Sequence, residues 1–493
     1  MSEYETIHME LCEDSDELCA EFTEYQVSGS GGVTVIETGV VSADYVTFYD
    51  YDGTVLYSYT REEAAALEAL PDLPSHDGLV AEAWNYTLDE IRSGAPADVA
   101  ASFMTNDGAT RFYITVSDTV RSSLSLRISC TDAGGVSIDW GDGSDAEALT
   151  STDETVYTHE YGAVGDYVIS VTANSGTWRL IGESVDAGGS AFGYTTTSAA
   201  QRIYPNMLTR AEFGSGVEEI GDYSLSWCGM LETVTFPTGI VYIGEYALRC
   251  CYSLKFLGIP RGVRSVGTYL CAYCEGLAAL SIPPTITELS QRMCYSCISL
   301  LRAAPPEGVT SFGALSFYGC SSLRECYIPS TVLSLGNYSF EACYRLRSVR
   351  LCESLTSCGT YCFHGCRSIT SFSFPDSFQT IGDYALYGCS LLSDLYMPEG
   401  LTAIGARTFY ECVSLSKVTV PSSVTSIGNY AFYGCRSVHD YYVYAETPPD
   451  LGGTAVFSGI ASDCVIHVPE ASLEAYQSTT RWSSLTSYLV GDL

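Results

Sequence analysis

Ten cysteines stand at a fixed interval of 23 residues: Cys228, Cys251, Cys274, Cys297, Cys320, Cys343, Cys366, Cys389, Cys412 and Cys435. A period this strict admits one supersecondary unit copied along an axis, because each copy must fit its neighbour as the last one did. The rest of the unit repeats with the cysteine. Seven residues before it stands Gly in nine of ten units (Gly221, Gly244, Gly267, Gly313, Gly336, Gly359, Gly382, Gly405 and Gly428), with Ser290 in the other. Three before it comes a large apolar residue in eight: Leu225, Leu248, Phe317, Phe340, Phe363, Leu386, Phe409 and Phe432. Three after it comes Leu, Ile or Val in all ten. Nine after it comes Pro in eight, and Cys352 takes that slot once.

Each part of the unit has a physical reading. "LETVTFP", "LRECYIP" and "LSKVTVP" alternate apolar and other residues, the period of a short strand. Proline ends the strand. The Ile-Gly pair is a bend where a side chain would obstruct, and "YAFYGC" is a short helical or turn-like return leg. One such unit cannot bury its apolar face alone, but stacked units can, as a solenoid with a parallel sheet on one face. On these residues the repeat resembles the BspA-like, or Treponema pallidum-type, leucine-rich repeat. The departures are Ser290 for Gly, Cys352 for Pro, and Cys271 and Cys294 for Phe or Leu. The expected fold class is mainly β with short helices or turns: a leucine-rich-repeat solenoid over 200–440, closed by a C-terminal cap over 441–493.

Two β modules are expected upstream. "VSIDWGDGSDAE" followed by "THEYGAVGDYVISVTAN" is similar to a PKD-type β-sandwich, carried by Trp140, Gly141, Asp142, Gly143, His159, Tyr161, Gly165, Tyr167 and Val171. That module spans 108–180. Residues 33–100 are similar to small β-grasp repeats of bacterial surface proteins, on a hairpin at Asp52-Gly53 together with Pro71, Pro74, Gly78 and Trp84. Residues 1–32 are acidic, end in "SGSGG", and read as a flexible N-terminus.

Charge narrows the partners. The net charge is −36. Residues 1–208 hold 35 acids against 7 Arg, a net of −28, and residues 209–440 hold 18 acids against 15 basic residues, a net of −3. Such a chain repels phosphate backbones, so no nucleic-acid partner is expected. The acidic N-terminus does not read as a signal peptide, and no apolar run reaches the roughly 20 residues of a membrane helix. Neither a secretion signal, a membrane insertion nor a cofactor is expected.

Three motifs suggest chemistry and each has a plainer reading. "FYDYDGTVL" resembles the nucleophile loop of haloacid-dehalogenase-type phosphatases, with Asp50 as nucleophile and Asp52 as general acid. That chemistry also needs a cation for the phosphoryl group, and no Lys precedes Lys255. A hairpin turn is favoured. Asp139, Asp142 and Asp145 offer oxygens to calcium, yet their spacing does not fit an EF-hand loop, and the same residues form a plain turn in the family they resemble. Cys271, Cys274, Cys294 and Cys297 read as a string like a zinc site. The repeat explains two as series members and two as replacements for Phe or Leu, so buried, reduced packing thiols are expected.

The stronger functional signal is the outward side of the repeat strands. It carries Arg302, Arg324, Tyr327, Arg347, Arg350, Tyr396 and Tyr442. Arg and Tyr are enriched at interface hot spots, and solenoids present extended binding faces. A second column, five before each cysteine, holds seven tyrosines from Tyr223 to Tyr430 and is expected to stack. The resemblance implies a non-enzymatic bacterial or phage-encoded protein that recognises a protein or glycan surface, at a cell surface or, alternatively, as a virion-associated tail or receptor-binding component.

Overall fold

The computed structural model describes residues 45–93, 97–117, 123–131, 134–182 and 207–493, with the short strands Gln26–Val27, Val33–Thr34 and Phe192–Gly193. It divides into Met1–Ser42 and Ala43–Leu493. In the first unit, Gln26–Val27 pairs antiparallel with Val33–Thr34. The flexible N-terminus expected over 1–32 otherwise lies outside the described residues.

In the second unit every rung of the solenoid contributes two short parallel strands. The first sheet takes strands such as Glu325–Tyr327, Ser348–Arg350, Ser371–Ser373, Asp394–Tyr396, Lys417–Val420 and Asp440–Val443. Its register steps by one repeat, as Tyr327 opposite Arg350 and Ser373 opposite Tyr396. The second sheet takes the two residues before or beside each glycine, such as Ser334–Leu335 and Thr380–Ile381. Leu, Ile, Val, Phe and Cys side chains from both sheets fill the space between them as one continuous buried core.

The conserved-period glycines sit where rungs approach most closely. A Cβ on Gly244, Gly313, Gly359, Gly382 or Gly428 would stand within 3 Å of backbone atoms of the preceding rung. These glycines have ordinary negative φ, so it is space and not handedness that requires them. The left-handed positions lie elsewhere. The residue five before each cysteine and the one just before it both adopt positive φ, among them Tyr338, Tyr361, Tyr384, Ala342 and Glu411. Each such non-glycine costs about 1 kcal/mol or more. The rung is compensated by ladder hydrogen bonds along the return leg, where Tyr361 N, Phe363 N and Gly365 N donate to Asp383 O, Ala385 O and Tyr387 O of the next rung. The return leg is thus a hydrogen-bonded turn and not a helix. The tyrosine column stacks as expected: Tyr223 on Tyr246 at 4.7 Å, Tyr246 on Tyr269 at 4.5 Å, and Tyr361 on Tyr384 at 4.3 Å.

The cysteine series has a further reason that its period alone does not reveal. Each thiol of the series from Cys251 to Cys435 donates to the carbonyl 26 residues earlier in the preceding rung, that of Leu or Phe in seven cases and of Cys271 and Cys294 in the other two. Cys343 donates to Phe317 O at 3.2 Å, Cys366 to Phe340 O at 3.1 Å and Cys435 to Phe409 O at 3.2 Å. Cysteine is small enough for the core and adds a second donor to a buried carbonyl that also accepts from a backbone N–H, as Phe317 O does from Cys320 N at 3.3 Å. The described cysteines are buried. Burial pushes the Cys389 and Cys435 thiols up to about 12, so they are neutral donors at pH 7.

Both ends of the solenoid are closed. At the N-terminal end stands a sandwich of antiparallel strands whose two sheets run directly into the two solenoid sheets. Thr110–Val116 pairs with Leu208–Glu212, which pairs in parallel with Thr233–Thr235. Across the sandwich, Trp178–Leu180 pairs in parallel with Val217–Ile220. The two parts share a single core, in which Phe112 meets Phe213 edge-on at 5.8 Å and Phe213 stacks on Phe236 at 5.4 Å. At the C-terminal end Val465–Val468, the helix Leu473–Ser478 and Leu489–Gly491 cover the last rung. Tyr476 donates to Ala445 O at 2.7 Å and Trp482 to Pro449 O at 2.7 Å. No helix among the described residues is long and apolar enough to cross a membrane.

Residues 45–93 and 97–105 form a four-stranded mixed sheet with two short helices. Tyr45–Tyr49 pairs in parallel with Ala97–Thr105, and each has an antiparallel partner on its outer side. The Asp50–Thr54 segment is the hairpin turn, with Asp52 Oδ1 accepting from Thr54 N at 2.8 Å. Asp50 meets His76 at 2.8 Å, and Asp52 lines a shallow groove with Arg210 and Lys255.

Candidate recognition surface

The strand Ala97–Thr105 lies across the outward side of the first sheet at its early rungs. Phe103 N donates to Phe236 O at 3.2 Å. Asn85 Nδ2 donates to Ile259 O at 2.9 Å and Ser281 Oγ at 2.8 Å, while its Oδ1 accepts from Ala100 N. Tyr86 donates to Ile282 O at 2.8 Å, and Tyr49 stacks on Phe256 at 5.1 Å. The small residues Gly258 and Ala279 leave room for this contact. At the margin Arg261 pairs bidentately with Glu90 at 2.6 and 3.0 Å.

Arg302 must therefore be corrected. It was expected on an open binding face, but its side chain is only 3% exposed and its guanidinium is ion-paired with Asp98, itself 2% exposed. A cation in the outward column was needed there to neutralise the acid that the docked strand carries. Tyr327 is also buried, and donates to Glu307. Asp98 and Asn85 were missed in the sequence. The signal was available: "ADVAASF" is an apolar strand with one acid, and a buried acid requires a partner.

Beyond Tyr327 the face is uncovered by any described residue, and the other expected residues fall into three places. Arg324 and Arg347 are exposed at the entry to their strands. Arg350 and Tyr396 line one groove of about 380 Å³ with Ser371, Ser373 and Asp376, and Tyr396 donates to Asp376 at 3.0 Å. Tyr442 lies in a third group. Lys417 Nζ sits 4.3 Å from its ring on one side, and His467 stacks on it at 4.5 Å.

His467 bridges Asp440 at 3.1 Å and Asp492 at 2.9 Å. Burial alone would lower its pKa, but the hydrogen bonds to Asp492 and Asp440 outweigh it and raise it. A raised folded value means this bridge stabilises fully below the unfolded pKa of about 6.5 and is lost as pH rises through the folded one. Amide exchange at Val490 and Asp492 is therefore expected to quicken from pH 5.5 to 8.5 beyond the intrinsic rate change. In His467→Gln the extra change should vanish, and an equal change in both chains would contradict the bridge.

The remaining motifs are structural in their geometry. Asp139 Oδ1 and Asp142 Oδ1 accept from Gly141 N and Ser144 N at 2.9 and 3.0 Å, and Asp142 Oδ2 meets His159 at 2.8 Å. These bonds, led by those to Ser144, hold Asp142 far below the usual carboxylate range. Of the four cysteines that read as a zinc string, only Cys271, Cys294 and Cys297 bring their sulfurs within 4.8 Å of one another. Cys274 instead donates to Leu248 O at 3.1 Å. A closed zinc site takes four ligands in a tetrahedron, which this set does not supply.

A family model described as the BspA type leucine rich repeat region matches residues 203–324 and 310–439, with six copies. No curated protein matches the chain. Among solved structures, a leucine-rich repeat protein from Bacteroides ovatus is 23% identical over 57% of this chain and 77% of its own, with a TM-score of 0.47. A leucine rich cell surface protein from Faecalibacterium prausnitzii is 18% identical over 64% of this chain and 94% of its own, with a TM-score of 0.35. The leucine rich repeat protein of T. pallidum is 29% identical over 28% of this chain and 68% of its own, with a TM-score of 0.26.

Proposed function

Because residues 203–439 belong to the BspA-type leucine-rich repeat family, we propose that the chain is a non-enzymatic surface-recognition protein. Its working face is the uncovered run of the first sheet, from Arg324 to His467, and its ligand is the surface of another protein. The observation that carries this reading is the division of the face. The early rungs are sealed by the strand Ala97–Thr105, and Arg302 is consumed there. The later rungs keep Arg347 and Arg350, Tyr396 and Lys417 exposed on three rungs of one run, with the strand Ser371–Ser373 between the first and the second. Rigid rungs hold these side chains in order before binding, so little conformational entropy is lost on association.

Arg and Tyr in a groove are the residue types that carry binding energy at protein interfaces. The test is surface plasmon resonance of the full chain against a panel of extracellular-matrix and mucosal proteins. For a protein that binds, Arg350→Glu and Tyr396→Ala should each weaken it by about 2 kcal/mol, roughly thirtyfold in Kd. Undiminished binding by both variants would remove the face from consideration.

A further inference from the structure

The return legs of the rungs form a different edge of the solenoid, away from the first sheet, and it carries a groove of about 450 Å³. Two residues before the cysteine, aromatic rings stand in file. Tyr295 stacks on Tyr318 at 4.6 Å, Tyr387 on Tyr410 at 4.5 Å, and Tyr410 on Tyr433 at 4.7 Å. The file is broken at the rung of Cys343, where Glu341 takes the place of a ring. Its Oε1 is drawn to His364 Nδ1 at 3.0 Å. Among the described residues no ring stacks on the second face of Tyr318. The next ring in the file is two rungs away, roughly 10 Å. Arg367 lies over the exposed ring of Tyr344 at 5.3 Å, and Glu411 lines the far end.

We propose that this groove binds a neutral glycan, with one pyranose ring seated on Tyr318 beside Glu341 and the sugars that follow it along the groove offering their hydroxyl groups to Arg367 and then Glu411. Three observations lead to this chemistry. An aromatic face beside charged hydrogen-bonding groups suits a ring whose faces are C–H and whose rim is hydroxyl. Carboxylates accept from hydroxyls, and guanidinium donates to them. The rung spacing of roughly 4.8 Å is close to the length of one sugar in an extended chain, so successive rungs meet successive sugars.

Competing ligands fit less well. Glu341 and Glu411 outnumber Arg367, and the chain carries −36 overall, which disfavours sulfated, sialylated or phosphorylated ligands. A peptide adding as a strand needs open backbone groups. Here Gly319 N, Ala342 N, Gly365 N and Gly388 N are spent on the carbonyls of the next rung at 2.8 to 2.9 Å. The groove is separate from the first-sheet face and does not depend on the protein-binding reading above.

The test uses the full chain with β-1,4-linked tetrasaccharides of glucose and of N-acetylglucosamine, and a heparin tetrasaccharide as the anionic probe. Calorimetry should show at least one neutral tetrasaccharide binding with Kd on the order of 1 mM or tighter, and no heparin binding. Arg367→Ala and Glu411→Gln, both at exposed positions, should weaken it at least fivefold. Tyr318→Leu should abolish the saturation transfer seen by NMR. Tyr396→Ala, on the first sheet, should leave it unchanged. The assignment is overturned if neither neutral sugar binds at about 10 mM, if only heparin binds, if the groove variants bind like the parent chain, or if Tyr396→Ala removes binding.

Discussion

Arg302→Ala should loosen the docked N-terminal module by about 3–5 kcal/mol, the usual consequence of removing one partner from a buried ion pair. The loss arises because the Asp98 carboxylate would lose its counter-ion in a site that is 2% exposed. Ser281 donates to the backbone carbonyl of Asp98 and not to its carboxylate, and the Tyr49 hydroxyl, which does hydrogen-bond that carboxylate, brings no charge to balance it. The expected readout is local. Amide exchange should accelerate at Ala100 and Phe103, whose N–H groups bond Asn85 and Phe236, while amides in the rungs of Cys389 to Cys435 keep their protection. The paired replacement Asp98→Leu with Arg302→Met should recover most of the loss, because two apolar side chains of similar size leave no orphaned charge. If Arg302→Ala cost less than about 1 kcal/mol, the ion pair would not be what holds the module to the sheet.

Gly382→Ala is expected to cost about 3 kcal/mol, at the upper end of what added volume costs in a packed interior. The new Cβ would meet Gly359 C and Thr360 N well inside van der Waals distance, and both are backbone atoms that cannot rotate aside. The two rungs must separate, which strains the bond from Gly382 N to Cys358 O, now 3.0 Å. In a stack where each unit touches only its neighbours, weakening one interface should split cooperative unfolding into two steps. Urea unfolding of the parent is expected to show fewer transitions than that of the variant. A control is Gly388→Ala. A Cβ there meets nothing within 4 Å, but φ is +70°, so the cost should be about 1 kcal/mol from backbone conformation alone. Equal costs at the two positions would mean that rung spacing is not what Gly382 protects.

Much of the rung was legible in the 23-residue period. The strand ending in proline, the close-approach glycine, the stacked tyrosine column and the buried thiols each follow from a position repeated in register, because what a residue meets in one rung is its own equivalent in the next. Less legible was the role of the thiol as donor to Phe317 O and its counterparts, since the acceptor is a backbone atom that carries no sequence signature. The return-leg handedness was hidden for the same reason: Tyr361 and Ala342 do not advertise positive φ as glycine would.

The binding face shows where sequence reasoning stopped. Arg302 and Arg350 stand at two outward positions of the repeat strand, five and seven residues after the cysteine of their units, and nothing in either position marks it as covered or open. One is buried against Asp98, the other lines an open groove. The difference comes from partners such as Asn85 and Ser281, 196 residues apart, and from a strand whose docking no local pattern encodes. The chain by itself determined the rung, because nearest-neighbour stacking makes every contact a function of one repeated unit. Only the tertiary structure decided which stretch of the sheet is covered and which is open. That choice rests on one-time contacts between distant segments, where charge and shape match once and never repeat.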